Sequence, residues 1–286
     1  MTQILPSQPS VSLGRIGYMN VAPIYFGLDN GLTPSWIRIV SSHPNTLNRM
    51  MAEGTLDISP VSAAAHARNM NEWLLLPDLA ITSREKVLSV LLVSLHDLED
   101  LNGRRILVTN ESSSARDLCQ LIFRWKGISP EFIIDAITSP SQLSEVTDAA
   151  LIIGDKALSC NWKAYFPFVY DLGTLWWKLT GLPFVFAVWA VRKEFALHSP
   201  HQVAEVLHLL RKSYQYGKEH LAVIAEQASS KLNINLETAH RYYQTLGYHL
   251  QASEKSGLEM FYKGLHQAGI IDGSVELEFF DETASA

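Results

Sequence analysis

The stretch Val87-Leu88-Ser89-Val90-Leu91-Leu92-Val93-Ser94 decides how this chain divides. It is a nearly unbroken apolar run, so it predicts a strand buried on both faces. A second such run, Phe184-Val185-Phe186-Ala187-Val188-Trp189-Ala190-Val191, follows well downstream. Around these runs short strands alternate with helices. Upstream, Val11–Ile16, Trp36–Val40 and Asp57–Val61 read as strands. Between and after them, Ala22–Asp29, Pro44–Glu53 and Ala63–Asn69 read as helices. Pro23 and Pro44 fall in first turns, and Gly31 and Gly54 lie just past the ends. After Ser94 the alternation restarts. Arg105–Thr109, Phe132–Asp135 and Ala149–Ile153 are predicted strands, and Ser113–Trp125 and Ser141–Val146 predicted helices. From Pro200 to Gly269 the pattern is helical, broken at Asn233–Asn235 and near Ser253.

Strand–helix alternation predicts mainly parallel sheets with helices on their faces. Two such patterns joined by two long apolar strands predict an α/β protein of two lobes. Residues 11–94 and 190–286 would form the first lobe and 97–182 an inserted second lobe. Strands 87–94 and 184–191 would cross between them as a double-strand hinge, with a ligand cleft between the lobes. The alternation also permits a single doubly wound domain.

The composition narrows the function. Over 286 residues, 47% are hydrophobic and 18% charged, which supplies buried cores and excludes a disordered chain. Lys and Arg total 23 against 29 Asp and Glu, a net charge of -6 that disfavours a nucleic-acid partner. Cys119 and Cys160 are too few for a disulfide framework or a Cys-rich zinc site. The ten histidines show neither His-x-x-x-His nor His-Glu-x-x-His spacing, so no metal site is expected. The first basic residue is Arg15, and no basic-then-apolar leader precedes it. The longest apolar run, Leu182–Val191, falls short of the about 20 residues of a membrane span. A cytoplasmic chain with no membrane partner is the expectation.

Three segments go beyond pattern. The first is Ile16-Gly17-Tyr18-Met19-Asn20-Val21-Ala22-Pro23-Ile24-Tyr25, and the second Gly54-Thr55-Leu56-Asp57-Ile58-Ser59-Pro60-Val61-Ser62. The third is Ile152-Ile153-Gly154-Asp155-Lys156-Ala157-Leu158, followed by Tyr170-Asp171-Leu172-Gly173 and Thr180-Gly181-Leu182-Pro183-Phe184-Val185-Phe186-Ala187. With Leu76-Pro77-Asp78-Leu79, this ordered set resembles the chorismate dehydratase family of the futalosine route to menaquinone. The resemblance runs from about residue 12 to residue 195. It implies a two-lobed fold like the type II periplasmic binding proteins, used as a cytoplasmic lyase. The implied reaction removes water from the small dicarboxylate chorismate to give 3-enolpyruvylbenzoate, without metal or organic cofactor.

Asn20 lies where the first strand meets the first helix, a position that faces the cleft of an α/β lobe. Its plain role would be a turn or cap; within its motif it is a candidate catalytic residue holding substrate oxygens. Ser62 stands at another strand-to-helix junction and would cap that helix. A hydroxyl beside free helix-terminal N–H groups also suits a carboxylate. Ser112 and Ser113, with Thr109 just before them, make the same arrangement in the second lobe. Chorismate has two carboxylates, so all four are candidate substrate-binding residues, as are Thr82 and Ser83 before the first crossover. Trp176 or its neighbour Trp177 is a candidate wall of the cleft, the other a core residue. Asp155 is either an N-cap or a cleft acceptor, and the second candidate catalytic residue. No histidine falls between His96 and His198. The related dihydroxynaphthoate synthase uses a histidine base in that lobe, so the gap weighs against that activity. That synthase and a small-anion solute-binding protein of the same fold are the alternatives.

Overall fold

The computed structural model describes residues 11–109, 111, 113–135 and 139–285. Its strands are β1 (Val11–Ile16), β2 (Ile37–Ser42), β3 (Ile58–Ser62), β4 (Trp73–Ser83), β5 (Val90–Ser94), β6 (Arg105–Val108), β7 (Glu131–Ile134), β8 (Ala149–Ile153), β9 (Phe168–Asp171), β10 (Phe184–Arg192) and β11 (Leu246–Gly247). Among them run α1 (Ala22–Gly27), α2 (Pro44–Ala52), α3 (Ala63–Arg68), α4 (Ser113–Lys126), α5 (Pro140–Val146), α6 (Asp155–Ser159) and α7 (Leu172–Thr180). The chain ends in α8 (Lys193–His198), α9 (Pro200–Glu219), α10 (Leu221–Leu232), α11 (Leu236–Thr245) and α12 (Ala252–Gln267).

Two sheets organise these elements. One has the order β11-β4-β10-β3-β1-β2 and the other β7-β6-β8-β5-β9. The fold class is therefore α/β with two sheet-centred lobes. Neither sheet is mainly parallel, contrary to the expectation. β1 runs parallel to β2 and β3, but β10 is antiparallel to β3 and β4. In the second sheet β6 is parallel to β7 and β8, while β5 is antiparallel to β8 and β9. The odd strands, β5 and β10, are those that enter from the other lobe, so each meets its sheet against the local direction.

The two crossings of the expected double-strand hinge are present, but they lie at or before the starts of the apolar runs. β5 pairs only within the second sheet and β10 only within the first. The chain passes between sheets through 84–89 and 181–183, on either side of which the strands and helices end. The run Val87–Ser94 does not begin as strand because Leu88 takes a left-handed φ of 63°. Asp171, which also caps α7 through Thr174 N, accepts the Val87 and Leu88 backbone N–H groups. A left-handed leucine is costly, and these bonds hold it there.

Burial follows the two-residue period of the second sheet. Leu92, Ile106, Val108, Leu151 and Ile153 join one large core that continues into the first lobe. Val93, Leu107, Ala150 and Ile152 face a smaller cluster with Trp162 and Phe166. The long β4, which Pro77 and the left-handed Asp78 disguise in the sequence, supports β10 throughout. No described helix is long and apolar enough to cross a membrane.

Candidate active site

The ladder between β1 and β3 is reduced to Leu13 opposite Ile58. Pro60, which has no N–H, follows on β3. Beyond that point Ile16 and Ser62, at the C-terminal ends of the two strands, line a narrow cavity that opens to solvent. Tyr18, Asn20, Pro44, Ile81, Phe186 and Ala187 complete the first-lobe wall, and Val90, Ala115, Ile153 and Gly154 form the opposite one. Val87 and Ser89 reach it from the connection between the sheets. The walls are mainly apolar, with hydroxyl and amide groups at a few points, as a small-molecule site requires. Among the described residues lining it none is Lys, Arg or His.

Asn20 sits in the single tight turn Met19–Val21 that joins β1 to α1. Its Oδ1 is buried and meets no hydrogen-bond partner among the described residues. Such an atom is costly unless a ligand satisfies it. Ser62 is fully engaged as an acceptor. It caps α3 by accepting from Ala65 N at 3.2 Å, and it accepts from Asn48 Nδ2 at 3.2 Å. With both lone pairs used, its O–H is the group left to face the cavity. The backbone N–H of Ala64, the next donor of the α3 terminus, is bonded to Ser114 Oγ at 3.0 Å from the second lobe. Two N–H groups of the α3 terminus, which was expected to be open, are thus taken by protein hydroxyls.

The facing hydroxyls are arranged differently from the expectation. Ser113 donates to Asn45 Oδ1 at 2.9 Å, and Thr109 Oγ1 accepts from Glu111 N, both outside the cavity lining. Ser112 lies outside the described residues. Thr82 and Ser83 are buried in β4, Thr82 against Gly247 and Ser83 against Gly173, and neither lines the cavity. Trp176 is completely buried. It packs edge-on against Phe184 and Phe261 and donates its indole N–H to Pro183 O, so it is a core residue and no wall. Trp177 lies under the Arg84 guanidinium.

Asp155 is the largest correction among the site residues. It does not cap α6, whose cap is Gly154. Its Oδ1 accepts the backbone N–H of Met19 at 3.0 Å, across the cleft. Burial raises its pKa, opposed by the Met19 bond and by Lys231. Asp155 does not line the cavity, whereas Tyr18 and Gly154 do, packed against each other. A Cβ on Gly154 would lie 2.7 Å from the Tyr18 ring, so only glycine admits that approach. Tyr18 donates to Glu111 Oε2 at 2.7 Å, and burial first, then Glu111, raises its pKa. Its phenol therefore remains protonated and committed to the second lobe.

Ser89, buried on the connection between sheets, was not singled out from sequence, since an apolar run hid it. Tyr243, whose hydroxyl donates to Met19 O at 3.1 Å, was also missed. No sequence signal links either residue to the cavity. Among the described residues no group of three His, Cys, Asp or Glu side chains is placed to hold a metal ion.

A family model described as menaquinone biosynthesis matches residues 11–267. The chorismate dehydratase of Thermus thermophilus is 29% identical over 269 residues, covering 88% of this chain and 94% of that protein. A solved structure of a protein from Archaeoglobus fulgidus superposes with a TM-score of 0.74 at 19% identity, covering 91% of this chain and 98% of that one. The periplasmic aliphatic sulphonate binding protein of Escherichia coli superposes with a TM-score of 0.63 at 13% identity, covering 95% and 91%. At those identities the two structures establish the fold, that of the periplasmic binding proteins.

Proposed function

The chain belongs to the menaquinone-biosynthesis family, and from that membership and its cleft we propose that it is a chorismate dehydratase. As such it is a carbon–oxygen lyase that converts chorismate to 3-enolpyruvylbenzoate and water. We place it in the cytoplasm, on the strength of a biosynthetic relative rather than of its fold. The observation that carries the reading is a largely apolar cleft with the unsatisfied Oδ1 of Asn20 in its wall, in a chain that follows a chorismate dehydratase over 88% of its length.

The reaction removes the ring proton beside the ether oxygen and the hydroxyl on the neighbouring carbon. A base must lie within hydrogen-bond reach of that proton. No histidine or carboxylate lines the cavity among the described residues, and Asp155 is spent on Met19. The substrate brings its own candidate, the carboxylate of its enolpyruvyl arm. In our scheme that carboxylate takes the proton. The electron pair spreads through the ring double bond onto the ring carboxylate; the arm carboxyl then returns that proton to the hydroxyl, which leaves as water as the ring becomes aromatic. Asn20 holds the arm or the leaving hydroxyl, and Ser62 and Ser89 offer hydroxyl donors to oxygen atoms. Orientation and fixed dipoles of this kind are worth several kcal/mol without side-chain proton transfer.

Turnover of chorismate by the intact protein and by Asn20→Ala tests the assignment, with the ester of the enolpyruvyl carboxylate as a third arm. Chorismate should react, Asn20→Ala should lose a large part of kcat, and the ester should bind less well and stay unchanged. Ready reaction of the ester would remove the substrate carboxylate as base. Full activity of Asn20→Ala would remove Asn20 from the site.

A further inference from the structure

The turn that carries Asn20 is gripped from both sides. The Met19 N–H, on one side of the turn, donates to Asp155 Oδ1 at 3.0 Å, and Asp155 belongs to α6 of the second lobe. The Met19 carbonyl belongs to the peptide that leads into Asn20. It accepts from the Tyr243 hydroxyl at 3.1 Å, and Tyr243 belongs to α11 of the C-terminal helices. The same carbonyl also receives the Ala22 N–H that closes the turn. Residues 136 and 224 positions away in sequence thus fix two consecutive peptide groups.

Neither partner has another evident task. Asp155 and Tyr243 are both outside the cavity lining, so neither touches a ligand there. Tyr243 is buried, and both burial and the nearby Asp155 carboxylate raise its pKa, so it stays a donor. A single turn with no capping side chain of its own has little to hold it rigid. The grip also requires two separate parts of the fold, since Asp155 can reach Met19 only while the lobes are together.

We propose that Tyr243 and Asp155 are positioning residues that clamp the Met19 peptides, so that Asn20 adopts its reactive pose only when the second lobe is closed on the first. This gives the C-terminal helices a part in the chemistry, and it converts Asp155 from a candidate base into an acceptor that reports closure. The proposal rests on the dehydratase reading, in which Asn20 acts on the substrate.

The test is a set of variants in the full chain, read by steady-state turnover of chorismate and by amide hydrogen exchange over residues 18–22. Tyr243→Phe and Asp155→Ala should each lower kcat about tenfold or more while KM changes by less than about threefold. Asp155→Asn should retain most of kcat, because an amide oxygen still accepts the Met19 N–H; a base could not be replaced this way. Exchange over 18–22 should quicken in Tyr243→Phe and Asp155→Ala and stay slow in Asp155→Asn. In an Asn20→Ala background the Tyr243→Phe loss should largely vanish, since there is no longer a side chain to position. The clamp is overturned if Tyr243→Phe matches the wild type in kcat and exchange. It is overturned equally by an Asp155→Asn as inactive as Asp155→Ala, or by an undiminished Tyr243→Phe loss in the Asn20→Ala background. A wild type that leaves chorismate unchanged would instead defeat the dehydratase reading, and exchange would then judge the grip on Met19 by itself.

Discussion

His66 shows how one buried group sets a pH response that the active site does not share. It lies in α3, fully buried, with Nδ1 3.0 Å from the Tyr262 hydroxyl of α12. Burial, helped by Lys193, lowers its pKa to about 4 from the ordinary 6.5. The folded protein therefore keeps the ring neutral where the unfolded chain would bind a proton. Stability from this source is complete above 6.5 and is lost as the pH falls from 6.5 towards about 4. The full effect is roughly 3 kcal/mol. Urea midpoints across that window should fall with acidification, and His66→Gln should flatten the fall; an unchanged slope would locate the acid sensitivity elsewhere. The candidate site was legible at this scale wherever a residue's role is local. Asn20 and Ser62 stand at strand-to-helix junctions that the sequence displays. Asp155 and Tyr243 act on Met19 across long stretches of chain, and no local pattern carries such a bond. Trp176 and Trp177 are neighbours on one helix, and only packing decides which of them is core.

At the scale of elements, the connection 84–89 concentrates the risk. The left-handed Leu88 and the cavity residue Ser89 are adjacent, and Asp171 holds the Leu88 N–H at 2.8 Å and Val87 N at 3.1 Å. Asp171→Ala would strip the acceptor from these groups and from Thr174 N. It should destabilise the protein by about 3 kcal/mol or more in urea titration, with turnover falling because Ser89 is released. A loss under about 0.5 kcal/mol would show that water or neighbouring groups satisfy those N–H groups just as well. The same connection explains what the apolar runs concealed. Hydrophobic pattern reports burial, and both runs are indeed buried strands over Val90–Ser94 and Phe184–Arg192. It says nothing about which strands they pair with. The hinge therefore had to be moved from the strands to the segments before them. β4 escaped notice because Pro77 and Asp78 break its alternation, and its pairing with β10 shifts register twice.

Over the whole molecule, the lobes meet through more than the two connections. Tyr18 bonds Glu111, Ala64 bonds Ser114, Ser113 bonds Asn45, and Arg68 pairs with the buried Asp117 at 2.6 Å. α12 packs on α4, where a side chain on Gly264 would strike Leu121 and Trp125 at 2.8 Å. The closed cleft is thus braced by polar contacts at its rim and by a core shared behind it, which is how a binding-protein fold can keep water from a reacting ring. The claim that matters most is that this cleft performs a dehydration and not merely a capture. The most direct measurement is to incubate the purified protein with chorismate and identify the product by mass and proton NMR. The account predicts an aromatic compound lighter by one water that still carries its enolpyruvyl arm. Chorismate bound and returned unchanged would make the protein a solute binder, and a product that has lost the arm would contradict the reaction assigned here.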